Sequence, residues 1–183
     1  MRHLLLALPF ALTMPFAAAG EHHHHDHPDA PASLGSHEHG AAELDAVLDG
    51  SILEIELRSP AINLLGFEHA PRDVADQRTL AETQAQLQQP DALFGLPVAA
   101  RCTLDEARLE SPLFSDDAHE HSAHNDIHAH YRYRCNAPQA LQSLDLQALF
   151  EAFPGTEKIQ AQVIGPNGQQ GRQLRAGQAR ITF

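Results

Sequence analysis

The sequence predicts one α+β domain: an antiparallel sheet with helices on one face, in the order β-β-α-β-β-α-β-β, preceded by a disordered His-rich arm. Three observations predict it. Short runs alternate apolar and polar residues, the period of half-buried strands. Two stretches between these runs carry helix-forming residues and end at proline. Residues 20–40 show neither pattern and are dominated by His, Gly, Pro and acidic residues.

The chain opens like an export signal. Arg2 and His3 form a short polar start, Leu4 to Phe16 is apolar apart from Pro9, Thr13 and Pro15, and Ala17-Ala18-Ala19 supplies small residues before Gly20. The expectation is a cleavable signal peptide over 1–19 and delivery to the periplasm of a Gram-negative bacterium. The apolar part is too short for a membrane anchor, and no Cys follows the cleavage point to carry a lipid. Residues 20–40 then form the arm, in which Pro28, Pro31, Gly35 and Gly40 oppose regular structure. The folded domain spans 41–183.

Within that domain, Glu43 to Leu48 alternates imperfectly, Asp49-Gly50 signals a hairpin, and Ile52 to Arg58 alternates cleanly. Leu53, Ile55 and Leu57 point one way, and Glu54, Glu56 and Arg58 the other. Pro60 ends the strand, and Asn63 to Pro71 reads as an apolar connection. Asp73 to Gln89 is the best helix, with Val74, Leu80 and Leu87, helped by Ala81 and Ala85, as its apolar stripe. Val98 to Glu110 reads as a strand carrying Cys102, and Ile127 to Cys135 as a second. Leu141 to Phe153 reads as a helix, Lys158 to Ile164 as a strand, Pro166-Asn167-Gly168 as a turn, and Leu174 and Ile181–Phe183 as strand material. Cys102 and Cys135, an even count in an oxidising compartment, read as one disulfide that pins their strands together. A pair of thiolate metal ligands is the alternative.

Composition narrows the function. A formal charge of -12 repels phosphate backbones, and Trp is absent, so nucleic-acid binding is not expected. Acidity favours cations. Histidine is the outlier, with 14 residues gathered in clusters. His22, His23, His24, His25 and His27 lie among Glu21, Asp26 and Asp29; imidazole suits zinc, copper and nickel, and carboxylates complete a shell. Consecutive histidines impose no single geometry, so this arm should hold several ions weakly. A cloning tag or a solvated spacer are the plainer readings of the run. His37 and His39 form a His-x-His pair whose rings share one side of an extended chain.

The sharpest cluster is His119-Glu120-His121-Ser-Ala-His124-Asn-Asp126-Ile-His128-Ala-His130. His128 and His130 stand two apart on a predicted strand and face one side, with Tyr131, Tyr133 and Cys135 on the other. His119, His121 and His124, with Glu120 and Asp126, belong to the preceding His-rich loop 116–130, and a fixed pair with further donors beside it suits a four-coordinate site. A hydrophilic loop enriched in His by drift is the bland alternative. His69, isolated in an apolar stretch, reads as structural and hydrogen-bonded to backbone, with Glu68 and His69 as supporting ligands the other reading. Catalytic signatures are missing: no His-Glu-x-x-His, Gly-x-Ser-x-Gly or phosphate-binding loop occurs, so no enzymatic activity is expected.

One resemblance adds to this. His37-Glu-His-Gly-Ala-Ala-Glu-Leu44, Asp49-Gly50, Leu57-Arg-Ser-Pro-Ala-Ile-Asn-Leu-Leu-Gly-Phe-Glu-His-Ala-Pro71 and Ile159-Gln-Ala-Gln-Val-Ile-Gly-Pro-Asn-Gly-Gln-Gln170 resemble the ZrgA-type zinc-regulated periplasmic zinc-binding proteins. These pieces extend over nearly all of the expected mature chain, and a His/Asp/Glu-rich loop before a strand matches 116–130. The resemblance implies zinc acquisition: a periplasmic carrier of Zn2+ working with components of an ABC-type uptake system. Two rivals stay open at this point. One is a nickel or cobalt chaperone; copper handling is disfavoured because Met1 and Met14 both fall in the signal peptide. The other is a structural envelope module whose histidines buffer or sense pH.

Overall fold

Alternation decides where the sheet's core lies. A computed structural model describes residues 38–114 and 125–183. The expected signal peptide, the arm as far as His37, and the loop residues 115–124 lie outside the described residues. Strand β1 (Ala41–Asp49) turns at Gly50, φ 57°, into β2 (Ile52–Pro60), with Leu44 opposite Leu57 and Ala46 opposite Ile55. Strand β4 (Asp126–Cys135) lies antiparallel on the far side of β2, and β3 (Cys102–Glu110) antiparallel on β4. One cross-strand row therefore reads Leu109, Ala129, Leu57, Leu44, Ala161, all on the face that packs into the core. Strict period two along each strand puts every second residue into that core and its neighbours outside.

The α+β class stands, but the strand directions differ from the expectation. Strand β6 (Lys158–Gly165) runs parallel to β1, so the six-stranded sheet, ordered β3-β4-β2-β1-β6-β7, is mixed. Its other pairs are antiparallel, including the hairpin from β6 to β7 (Gly168–Leu174). Alternation is identical in parallel and antiparallel strands, so the sequence pattern could not set this direction. A second, two-stranded sheet pairs β5 (Ser143–Asp145) with β8 (Arg180–Thr182).

The helices also differ in detail. The connection after β2 contains a short helix, α1 (Ala61–Leu65), stopped by Gly66 at φ 81°. Helix α2 (Val74–Leu87) starts where Asp73 caps the Asp76 N–H, but its buried face runs through Leu80, Thr83 and Leu87. Val74, Ala81 and Ala85 point outward, and Thr83 lies on the buried face with its hydroxyl 3.5 Å from the Leu64 carbonyl. The stretch read as one strand from Val98 begins as a 3-10 turn, and Arg101 at φ 49° breaks it before β3. The helix expected over 141–153 is shorter, α3 (Gln147–Ala152), because its first residues form β5.

Leu87, Leu149 and Phe150 from the helices join the sheet's apolar face in one core cluster. Tyr131 and Tyr133 are its largest wholly buried side chains. The Tyr131 hydroxyl donates to the Leu87 carbonyl at 2.9 Å, tying sheet to α2, and burial pushes its ionisation well above the ordinary tyrosine range. The expected Cys102–Cys135 disulfide is present, between residues directly opposite each other on β3 and β4.

Candidate functional site

His128 and His130 stand on the solvent face of β4, opposite the side taken by Ile127, Ala129, Tyr131 and Tyr133. Their register gives each a defined neighbourhood. His128 lies between Glu110 of β3 and Arg58 of β2, and His130 between Arg108 and Glu56. Arg58 belongs to the adjoining carboxylates: it contacts Asp45 at 2.8 Å and Glu43 and Glu56 at 3.1 Å. Partial burial works against its charge, but hydrogen bonds to Asp45, Glu56 and Glu43 outweigh this and hold the guanidinium firmly protonated. Its charge is thereby committed to those acids.

At the end of β4 nearest the His-rich stretch, Glu110, Pro112, Phe114, Asp126 and His128 line an open cleft of about 670 Å3. One imidazole and two carboxylates thus border one recess. Among the described residues, no three His, Cys, Asp or Glu side chains converge closely enough to hold a metal ion. His119, Glu120, His121 and His124 lie outside the described residues, as do His22, His23, His24, His25, His27 and His37.

A second place was scarcely legible beforehand. Asn63 of α1 is buried and clamps the chain as it enters β1. Its Oδ1 accepts the Gly40 N–H at 2.7 Å, and its Nδ2 donates to the Ala41 carbonyl at 2.8 Å and to Ser59 Oγ at 3.2 Å. Gly40 has φ +80°, a conformation that favours glycine, and a Cβ there would need only the end of the Glu157 side chain to shift. Immediately before it, Glu38 pairs with Lys158 at 2.7 Å, and His39 Nε2 lies 3.4 Å from Glu68 Oε1. Asn125 closes the other side: its carbonyl accepts the Ala61 N–H, and its side chain donates to the Glu68 carbonyl.

His69 makes the backbone contact expected of a structural histidine, Nδ1 to the Ala70 carbonyl at 3.0 Å. Its ring stacks on Phe67 and stands 3.9 Å from Asp76. His39 and Glu68 thus approach each other from separated stretches, and Asn125 grips the backbone of Glu68. Asn63 and Asn125 were missed; their only signal was a polar residue inside an apolar run and one at the foot of a strand.

The segments quoted for the resemblance meet here. His37–Leu44 supplies His39 and Gly40, and Leu57–Pro71 supplies Ser59, Asn63 and Glu68. No curated protein matches the chain. A protein-family profile described as ZrgA family zinc uptake protein matches residues 36–183, the whole of the described fold, and the chain belongs to that family.

Proposed function

We propose that the protein works in the periplasm as a non-enzymatic zinc carrier, capturing Zn2+ through its histidine clusters and supporting uptake by an ABC-type system. Membership of a zinc uptake family supports the metal. The observation that carries the capture site is the outward placement of His128 and His130 on β4, beside the cleft bordered by Glu110 and Asp126. Strand positions fix two imidazoles on one face, and His128 shares the cleft with Glu110 and Asp126, donors of the kind zinc takes. His119, Glu120, His121 and His124 precede that strand and supply further donors. The run His22–His27 adds weaker, interchangeable sites, because consecutive histidines favour no one geometry. Such graded sites suit an ion that must be taken up and passed on.

Zinc titration by calorimetry on untagged protein tests this. Deleting His22–His27 removes the weak sites, and a tighter site survives that needs His128 and His130. Loss of all zinc binding on deleting the arm sinks the strand assignment, and preferential loading with nickel in the native host moves the reading to that metal.

A further inference from the structure

We propose that the open edge of β7 takes up an extended acidic segment of a partner protein as a further strand of the sheet. The six-stranded sheet ends on β3 at one side and on β7 at the other. Antiparallel pairing with β6 uses the backbone groups of every second residue of β7, so those of the residues between turn away from the sheet. Among the described residues, no strand but β6 pairs with β7. Strand β8 pairs with β5 in the smaller sheet and meets this region through side chains. Phe183 lies against Gly165, and the Thr182 hydroxyl donates to the Gln170 amide oxygen at 3.3 Å, so β8 adds no strand to this edge.

Regularity singles out this edge from the other. Sheet edges are ordinarily blunted by bulges, proline or charge. Strand β3 has such an irregularity between Leu104 and Glu106. Strand β7 keeps an unbroken register from Gly168 to Leu174, holds no proline, and is exposed at every residue before Leu174. Gln169, Gln170, Arg172 and Gln173 offer polar side chains to a strand laid beside them.

Charge names the occupant. The chain carries a formal charge of -12, yet residues 158–183 contain Lys158, Arg172, Arg175 and Arg180 and no Asp or Glu. Lys158 and Arg180 are committed to Glu38 and Asp145. Arg172, on β7, and Arg175, just after it, are exposed and stand in no ion pair among the described residues. Two copies joined edge to edge through β7 would set like charges side by side, whereas an acidic strand meets both guanidinium groups. Main-chain hydrogen bonds then supply the affinity, and the arginines select the partner by charge.

The test uses the full chain in excess chelator, so that no metal bridges the partners and the outcome is separate from the zinc-carrier reading. The probe is a capped fluorescent peptide of alternating valine and glutamate, about eight residues long to match β7. Beside it run its lysine counterpart and a form N-methylated throughout, which keeps the charge but donates no backbone hydrogen bond. The acidic peptide should bind saturably by fluorescence anisotropy and slow amide exchange in β7 but not in β3. Arg172→Glu with Arg175→Glu should weaken it by roughly tenfold or more and leave thermal melting unchanged, since neither arginine is paired. The lysine and N-methylated peptides should not bind the parent protein, and the N-methylated arm decides the question even if the variant melts low. Absence of saturable binding, protection at β3 in place of β7, or equal binding of the lysine or N-methylated form overturns the proposal. Sedimentation showing that the parent chain alone dimerises, and that the same two substitutions change this, also overturns it, because the occupant of the edge is then a second copy.

Discussion

At the scale of single residues, the buried amide of Asn63 matters as much as any histidine. It satisfies an N–H at Gly40 and a carbonyl at Ala41, and Gly155 packs so closely on its backbone that a Cβ would come within 2.6 Å of the Asn63 carbonyl. Asn63→Ala leaves the buried Gly40 N–H and the part-buried Ala41 carbonyl without this partner, which should cost about 1–3 kcal/mol, read as a lower urea midpoint with an unchanged slope. Asn63→Asp keeps an acceptor for Gly40 but sets a carboxylate oxygen against the Ala41 carbonyl in a buried place, so it should not rescue stability over Asn63→Ala. Equal stability of all three proteins would remove the clamp from the account. The sequence announces histidines by their clustering, so His128 and His130 were legible, down to the side of the strand they face. It does not announce Asn63, because one asparagine among Ala61, Ile62, Leu64 and Leu65 carries no period. Glu68 was visible only as the neighbour of an isolated histidine; what it faces depends on a tertiary contact with residue 39.

At the scale of elements, alternation made β1, β2, β4 and β6 readable, and Asp49-Gly50 and Asn167-Gly168 placed their hairpins. Partner choice was not readable, which is why β6 beside β1 came as a parallel pair. The three-residue β5 was hidden because three residues carry too little pattern against a helical reading of the same stretch. The disulfide was expected from the parity of the cysteines and an expected oxidising compartment, and its effect belongs to this scale. Cys102 and Cys135 close one end of the β3–β4 ladder, while His128 and Glu110 face each other near the other end. Replacing both cysteines by serine should lower stability by about 3–4 kcal/mol in the chain-entropy picture. Zinc stoichiometry below the melting transition should not change, because no proposed ligand lies at that end. Calorimetric titration beside thermal melting checks both halves, and loss of a zinc equivalent in the serine variant would bring the cysteines back as ligands.

At the scale of the whole molecule, the sheet separates the apolar core from the proposed zinc ligands. Its inner face, with α2 and α3, holds the apolar cluster, and Tyr131 locks sheet to helix. Its outer face carries His128, His130 and the carboxylates around Arg58. None of these groups belongs to the core. Removing zinc with a chelator at pH 7.5 should therefore leave far-UV circular dichroism and cooperative melting intact. Added zinc should raise the melting temperature by mass action, by the equivalent of about 2.7 kcal/mol at a hundredfold excess over the dissociation constant. Protons should oppose this, since imidazole binds metal only when neutral and ordinarily gains its proton near roughly pH 6.5. The sign is fixed: as pH falls through that range the metal-linked increment shrinks, so at pH 5.5 the zinc-loaded and metal-free proteins should melt closer together than at pH 7.5. Global unfolding on chelation would make the metal structural and end the carrier reading. An increment that survives undiminished at pH 5.5 would hand the site to carboxylates such as Glu110 and Asp126 in place of the histidines.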